Sequence, residues 1–228
     1  MKINLILPKN GVEPDFSNGE RLYFLAGPIR GGGDWQKRAV ALLGEKDPGC
    51  YIASPSPNGY MKEHELLEWG LPTNNPALAY SFTRQTLWER YYLQLALENG
   101  ALIFWLPVED ANIPREKKDG PYARDTYGEI GRWSIYALLE GTYPIIGAEK
   151  EFSGLDQIHV NLREDVGKFL GQSFGKSFPI YDSLEKTLDE AVMYARVRKE
   201  YHKAYDPEKD PYPYSAYLRG DYSRQNGL

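Results

Sequence analysis

Residues 21–34 read Arg-Leu-Tyr-Phe-Leu-Ala-Gly-Pro-Ile-Arg-Gly-Gly-Gly-Asp, and this stretch decides the fold. Its first part, Arg21–Ala26, is a nearly continuous apolar run, as expected of a strand covered on both faces. Its second part, Gly27–Gly33, holds four glycines in seven residues. A helix is expected from about Asp34, its N-cap, through Trp35, Ala39, Val40, Leu42 and Leu43. Strand, glycine loop and helix in that order open a βαβ unit.

The same rhythm continues outward. Upstream, Ile3–Leu7 is a short apolar segment that ends in the turn signal Pro8-Lys9-Asn10-Gly11. Downstream, Tyr51–Ala53 reads as a strand. Pro72, Asn74, Asn75 and Pro76 interrupt any long helix over 60–80. From Ser81 a helix is expected, with Trp88, Tyr91, Tyr92, Leu95 and Ala96 on one face and an end near Asn99-Gly100. Ala101–Leu106 is the strongest strand, Pro107–Pro121 a polar loop, and Gly128–Glu140 a helix. Tyr143–Gly147 and Phe178–Tyr181 complete five core strands, with helices over Leu155–Phe169 and from Leu184 to about His202. Strands alternating with helices imply an α/β domain over residues 1–204, with a mostly parallel sheet and helices on both faces. Residues 205–228 differ: Pro207, Pro211 and Pro213 alternate with Tyr212, Tyr214, Tyr217 and Tyr222. That composition predicts an extended Tyr/Pro-rich arm lying on a surface.

The chain has 228 residues, enough to bury a sizeable core, and a formal net charge of -5. The mildly acidic balance argues against a nucleic-acid partner held by phosphate neutralisation. A single cysteine, Cys50, excludes an intrachain disulfide, and three scattered histidines, His64, His159 and His202, do not suggest a metal. No apolar run approaches the length of a bilayer span, and the opening residues lack a signal-peptide pattern. The expectation is a cytoplasmic protein with no membrane partner.

In open α/β sheets ligands bind beyond the carboxyl ends of the strands, where strand order reverses. Gly27–Gly33, the residues from Pro107 onward and the segment around Thr126–Gly131 should meet there. The glycine loop has two readings. It is a tight strand-to-helix turn, or a cradle whose backbone N–H groups approach a phosphate or sugar hydroxyl, with Arg30 reaching an anion. It matches neither a P-loop nor a dinucleotide fingerprint. The segment Asp125-Thr126-Tyr127-Gly128-Glu129-Ile130-Gly131-Arg132 also has two. Thr126 and Glu129 have capping-box spacing. Alternatively, Glu129 is an ionised carboxylate favoured by the helix dipole, with Gly128 and Gly131 clearing space beside it. Such a group can attack an anomeric carbon and trap it as a glycosyl ester.

Three motifs in order carry a resemblance: Tyr23-Phe24-Leu25-Ala26-Gly27-Pro28-Ile29-Arg30-Gly31-Gly32, Phe104-Trp105-Leu106-Pro107, and Gly128-Glu129-Ile130-Gly131-Arg132-Trp133. Over roughly residues 21–150 the chain resembles the nucleoside 2-deoxyribosyltransferase-like superfamily, which includes deoxynucleoside 5'-monophosphate N-glycosidases. The resemblance implies a flavodoxin-like (Rossmann-like) three-layer sandwich with a five-stranded sheet. It implies double displacement at C1' of a (deoxy)nucleoside or its 5'-monophosphate, without a cofactor. Glu129 then matches the nucleophile, and Gly27, Pro28 and Ile29 match the loop that touches sugar and base. Arg30, Gly31 and Gly32 match the part that helps hold a 5'-phosphate in the N-glycosidase branch, where Ser stands in place of Pro28. The family oligomerises, so a homo-oligomer is expected, with the C-terminal arm contacting a neighbour.

The family often carries an acidic residue on the helix before the third strand. Glu89 is the nearest here, and a solvated helix charge is its other reading. Asp125 is expected to contact base or sugar, or simply to cap its loop. Trp35, Trp105 and Trp133 are candidates for a stacking surface, Trp105 foremost because it ends its strand. Two other functions remain: a nucleotide-binding module without turnover, in which Glu129 only caps its helix, and a TIR-like NAD glycohydrolase, which also relies on a glutamate.

Overall fold

A computed structural model describes residues 4–8, 12–55, 83–112, 115, 120–139, 142–170 and 178–204. The expectations for residues 60–80 and for the 205–228 arm lie outside these residues. Within them the chain alternates strand and helix: β1 (Asn4–Ile6), β2 (Leu22–Ala26), α1 (Trp35–Lys46), β3 (Tyr51–Ala53), α2 (Thr83–Asn99), β4 (Gly100–Leu106), α3 (Arg124–Leu139), β5 (Ile145–Ala148), α4 (Leu155–Leu170), β6 (Ile180–Tyr181) and α5 (Leu184–Ala204). The strands form one parallel sheet in the order β1-β3-β2-β4-β5-β6. Among the described residues there are six strands rather than the five expected, because the opening apolar segment pairs with β3 through Asn4–Tyr51, Leu5–Ile52 and Ile6–Ala53. With β1 set aside, the order is the doubly wound 2-1-3-4-5, compatible with a flavodoxin-like fold.

β2 and β4 are buried along their whole length, which is why their sequences run apolar without alternation. Their two faces are still distinct. The Phe24 ring lies 6.0 Å from that of Trp88 on α2, whereas the neighbouring Tyr23 hydroxyl donates to Asp47 at the end of α1, 2.7 Å away. Alternate side chains point to opposite faces, so α2 covers one face of β2 and α1 the other. α5 crosses β4 and β5. On α2 the buried stripe is Trp88, Tyr92, Leu93, Ala96 and Leu97, rotated from the expected one, and Tyr91 points outward to donate to Glu13 at 2.7 Å.

Two junctions fix the frame. α2 passes into β4 without a loop, because Gly100 lies so close to the Leu22 carbonyl that a Cβ there would collide with it. At the amino edge, Asp47 is 3% exposed at its side chain and accepts hydrogen bonds from Arg21 (Nε at 2.7 Å, and Nη2) and from Tyr23. Burial alone would raise the Asp47 carboxyl, but these donors and the Arg21 charge outweigh it and hold it below the ordinary range. The same burial, with the Asp47 charge, pushes the Cys50 thiol up to about 12. Among the described residues no helix is long and apolar enough to cross a membrane.

Candidate active site at the carboxyl edge

Strand order reverses between β2 and β4, so the crevice expected to take a ligand opens beyond Ala26 and Leu106. The Gly27–Gly33 loop leaves β2 at that point. Gly27, at φ 147°, sits against the Trp105 carbonyl and 2.9 Å, measured from an added Cβ, from the Trp35 ring, which leaves no room for a side chain. The Trp35 indole N–H donates to the Pro28 carbonyl at 2.9 Å and fixes the start of the loop. Pro28 and Gly31 are buried, Ile29 is half-buried and Arg30 is exposed. Asp34 occupies the N-cap position of α1 as expected, but its side chain makes no capping hydrogen bond.

The segment after β4 closes on this loop. The Asp110 N–H donates to the Gly31 carbonyl at 2.7 Å. The Val108 N–H donates to the Glu149 carboxylate at 2.7 Å, and the Tyr122 hydroxyl donates to the Pro107 carbonyl at 2.8 Å. Arg115, which sequence reasoning passed over, lies across Gly31, donates from Nε to Glu109 at 2.6 Å and from Nη1 to the Gly120 carbonyl at 2.7 Å, and stacks over Tyr122. No sequence signal separates Arg115 from its charged neighbours; its polar partners are local, and only the approach of β2 and β4 brings Gly31 beneath its stem.

α3 begins at Arg124, four residues before the expected start. Ala123, at φ 56°, turns the chain into the helix, and its carbonyl accepts from the Tyr127 N–H at 3.0 Å. Thr126 is therefore not an N-cap: it lies inside α3, 5% exposed, and the capping-box reading fails. Glu129 consequently sits in the second turn, beyond the strongest reach of the helix dipole. It flanks the buried positions Thr126, Ile130 and Trp133 and is half-buried itself.

Its electrostatics reverse the expectation of an ionised carboxylate. Burial first, then the charges of Glu89 on α2 and Asp125 one turn earlier, push the Glu129 carboxyl up to about 7. The structure thus brings Glu89, Asp125 and Glu129 into one acidic group. Asp125 is its solvated member, 84% exposed at its side chain and ion-paired with Arg124 at 3.1 Å. Gly128 and Gly131 are exposed, and a Cβ added at either meets nothing within 4 Å, so open space lies in front of that face of α3.

Trp35, Trp105 and Trp133 offer this site no stacking surface. Trp105 is 4% exposed, and its ring lies over Gly147, its register partner, beside Thr187 of α5. It therefore occupies the α5 face of the sheet and offers no stacking surface. Trp35 and Trp133 are 2% and 7% exposed and likewise belong to the core. The glycine loop meets the chain after β4 at Asp110 and Arg115, and α3, which carries Glu129, begins at Arg124. Compared with known protein families and with curated proteins, the chain matches none.

Proposed function

We propose that the protein cleaves or transfers at the N-glycosidic bond of a (2'-deoxy)nucleoside or its 5'-monophosphate, through a covalent glycosyl ester on Glu129. The observation that carries this reading is the Glu129 carboxyl itself. It is half-buried, raised to about 7 and accompanied by a second carboxyl from another helix. A fully solvated glutamate is a weak nucleophile toward carbon, and basicity gained by desolvation raises nucleophilicity while leaving much of the group ionised near neutral pH. Two carboxyls at one site are the arrangement that retaining glycosidases use. The flavodoxin-like order and the loop after β2 add support.

In the first step a Glu129 oxygen bonds to C1' as the C1'–N bond breaks, and the electron pair leaves with the base. The departing base takes its proton from solvent, because Glu89 is ionised whenever Glu129 is. In the second step water or an incoming base attacks C1', the ionised Glu89 takes the proton that the attacking group gives up and passes it to solvent, and the ester bond breaks to restore the Glu129 carboxylate. Water makes the reaction a hydrolysis and a base makes it a transfer. Gly27, Pro28, Ile29, Arg30 and Gly31 present backbone and one guanidinium to the sugar side. A homo-oligomer in which the 205–228 arm reaches a neighbour belongs to the same reading.

The test is release of free base from the common 2'-deoxynucleosides and their 5'-monophosphates, with and without an acceptor base, followed by chromatography. Glu129→Gln should fold and lose about 10³-fold or more of the rate, and mass spectrometry should find a sugar adduct on Glu129 in the wild type. Base release undiminished in Glu129→Gln overturns the assignment. Ligand-induced thermal stabilisation without base release makes the protein a binding module instead. Nicotinamide release from NAD, with no reaction on the panel, makes it a NAD glycohydrolase.

A further inference from the structure

We propose that Arg115 is a positioning residue for the Gly27–Gly33 loop, a strut by which the chain after β4 fixes the shape of the turn after β2. The inference rests on the reading above, in that this turn is taken to face the sugar. Two sets of contacts carry the inference. Glu109, the Gly120 carbonyl and the Tyr122 ring hold the guanidinium, at 2.6 Å, 2.7 Å and 5.4 Å to the ring centroid respectively. The aliphatic stem lies on the other loop: a Cβ added at Gly31 would stand 3.0 Å from Arg115 Cδ and 3.2 Å from Cγ.

The side chain is 15% exposed, although it comes from a polar segment. A second link crosses beside it, from the Asp110 N–H to the Gly31 carbonyl. Asp110 is itself shaped locally, its carboxylate accepting from the Asn112 N–H at 2.8 Å and from the Asn112 amide at 3.0 Å. Gly31 is at φ 78°, a conformation that favours glycine, so the turn has one shape and Arg115 covers it. Planar donors aimed at two acceptors while the plane stacks on a ring are a task for arginine that lysine does not perform.

A strut of this kind sets how well the ligand-free loop is preorganised for binding and leaves the reacting carboxyl alone, so its loss should appear in KM rather than in kcat. The full chain is examined as wild type, Arg115→Met, Arg115→Lys and Glu109→Gln. Hydrogen–deuterium exchange is read at the Asp110 amide and over residues 27–33, and kinetics are run with the best substrate of the deoxynucleoside panel. Exchange at both places should quicken about tenfold in the two Arg115 variants, the loss expected of one charge-assisted contact, and less in Glu109→Gln. KM should rise about tenfold while kcat stays within about twofold.

Wild-type exchange at both places in all variants, or a fall in kcat at constant KM, overturns the proposal. If Arg115→Met does not fold, Glu109→Gln and Arg115→Lys decide by the same readouts. If the wild type releases no base from any compound, the enzymatic reading fails, and the exchange rates alone decide whether Arg115 is a strut.

Discussion

Two acidic side chains, one at each edge of the sheet, are both withdrawn from water, and their carboxyls are driven in opposite directions. Asp47 at the amino edge meets Arg21 and Tyr23, so its charge is answered and its carboxyl is held low. Glu129 at the carboxyl edge meets burial and two further carboxylates, so its charge is opposed and its carboxyl rises to about 7. The folded chain thus gains from ionising one and loses from ionising the other. A buried charge with donors secures structure. A buried charge among like charges is kept at a cost in stability, which marks it as a place to look for chemistry.

The largest structural effect should come from removing the answering charge. Arg21→Met leaves Asp47 buried with the Tyr23 hydroxyl and the more distant Arg196 charge, and the loss should be about 3–5 kcal/mol in urea unfolding at pH 7. The pH dependence follows from the lowered carboxyl. Its contribution is present above the unfolded value near 3.8 and fades as pH falls through the folded one, so wild type and variant should converge in acid. A variant as stable as wild type at pH 7 would erase the contrast between the edges.

Next comes the opposite sign at Glu129. A carboxyl raised from 4.5 to about 7 contributes stability below 4.5, and that contribution is lost as pH rises through 7. Glu129→Gln cannot ionise, so relative to wild type it should gain stability between pH 4 and pH 8, by up to about 3 kcal/mol. Unfolding at a series of pH values checks this. In the enzymatic reading base release should rise with pH and level off above about 7, because the ionised form attacks. A profile that falls instead would make Glu129 the acid. The smallest effect is the most diagnostic: Glu89→Gln removes one opposing charge, and the Glu129 midpoint, followed by carbon NMR of its carboxyl, should move down.

The strands were legible because continuous apolar runs mark buried parallel strands, and the helix boundaries after β3 follow within a few residues except at α3. There the sequence offered Thr126 and Glu129 at capping spacing, while the actual start depends on Ala123 in a left-handed conformation that no pattern announces. Trp105 was misplaced for a related reason. A strand apolar at every position carries no alternation, so the face Trp105 takes is not written in it. Only the pairing with Gly147 beneath α5 settles that. Glu129 was found by motif, but its proton affinity was read with the wrong sign, because the burial and the Glu89 charge that set it arise only once the chain folds and brings Glu89 on α2 within electrostatic reach.

The loopless passage from α2 into β4 has a mechanical corollary. With Gly100 wedged against Leu22, helix and strand turn as one piece, and the rotational phase of α2 is geared to the sheet. One residue inserted between Leu95 and Gly100 would swing every earlier side chain by about 100° around the helix axis, carrying Glu89 off the side on which Glu129 feels it. Spacing at that junction, rather than any loop, is what delivers the second carboxyl.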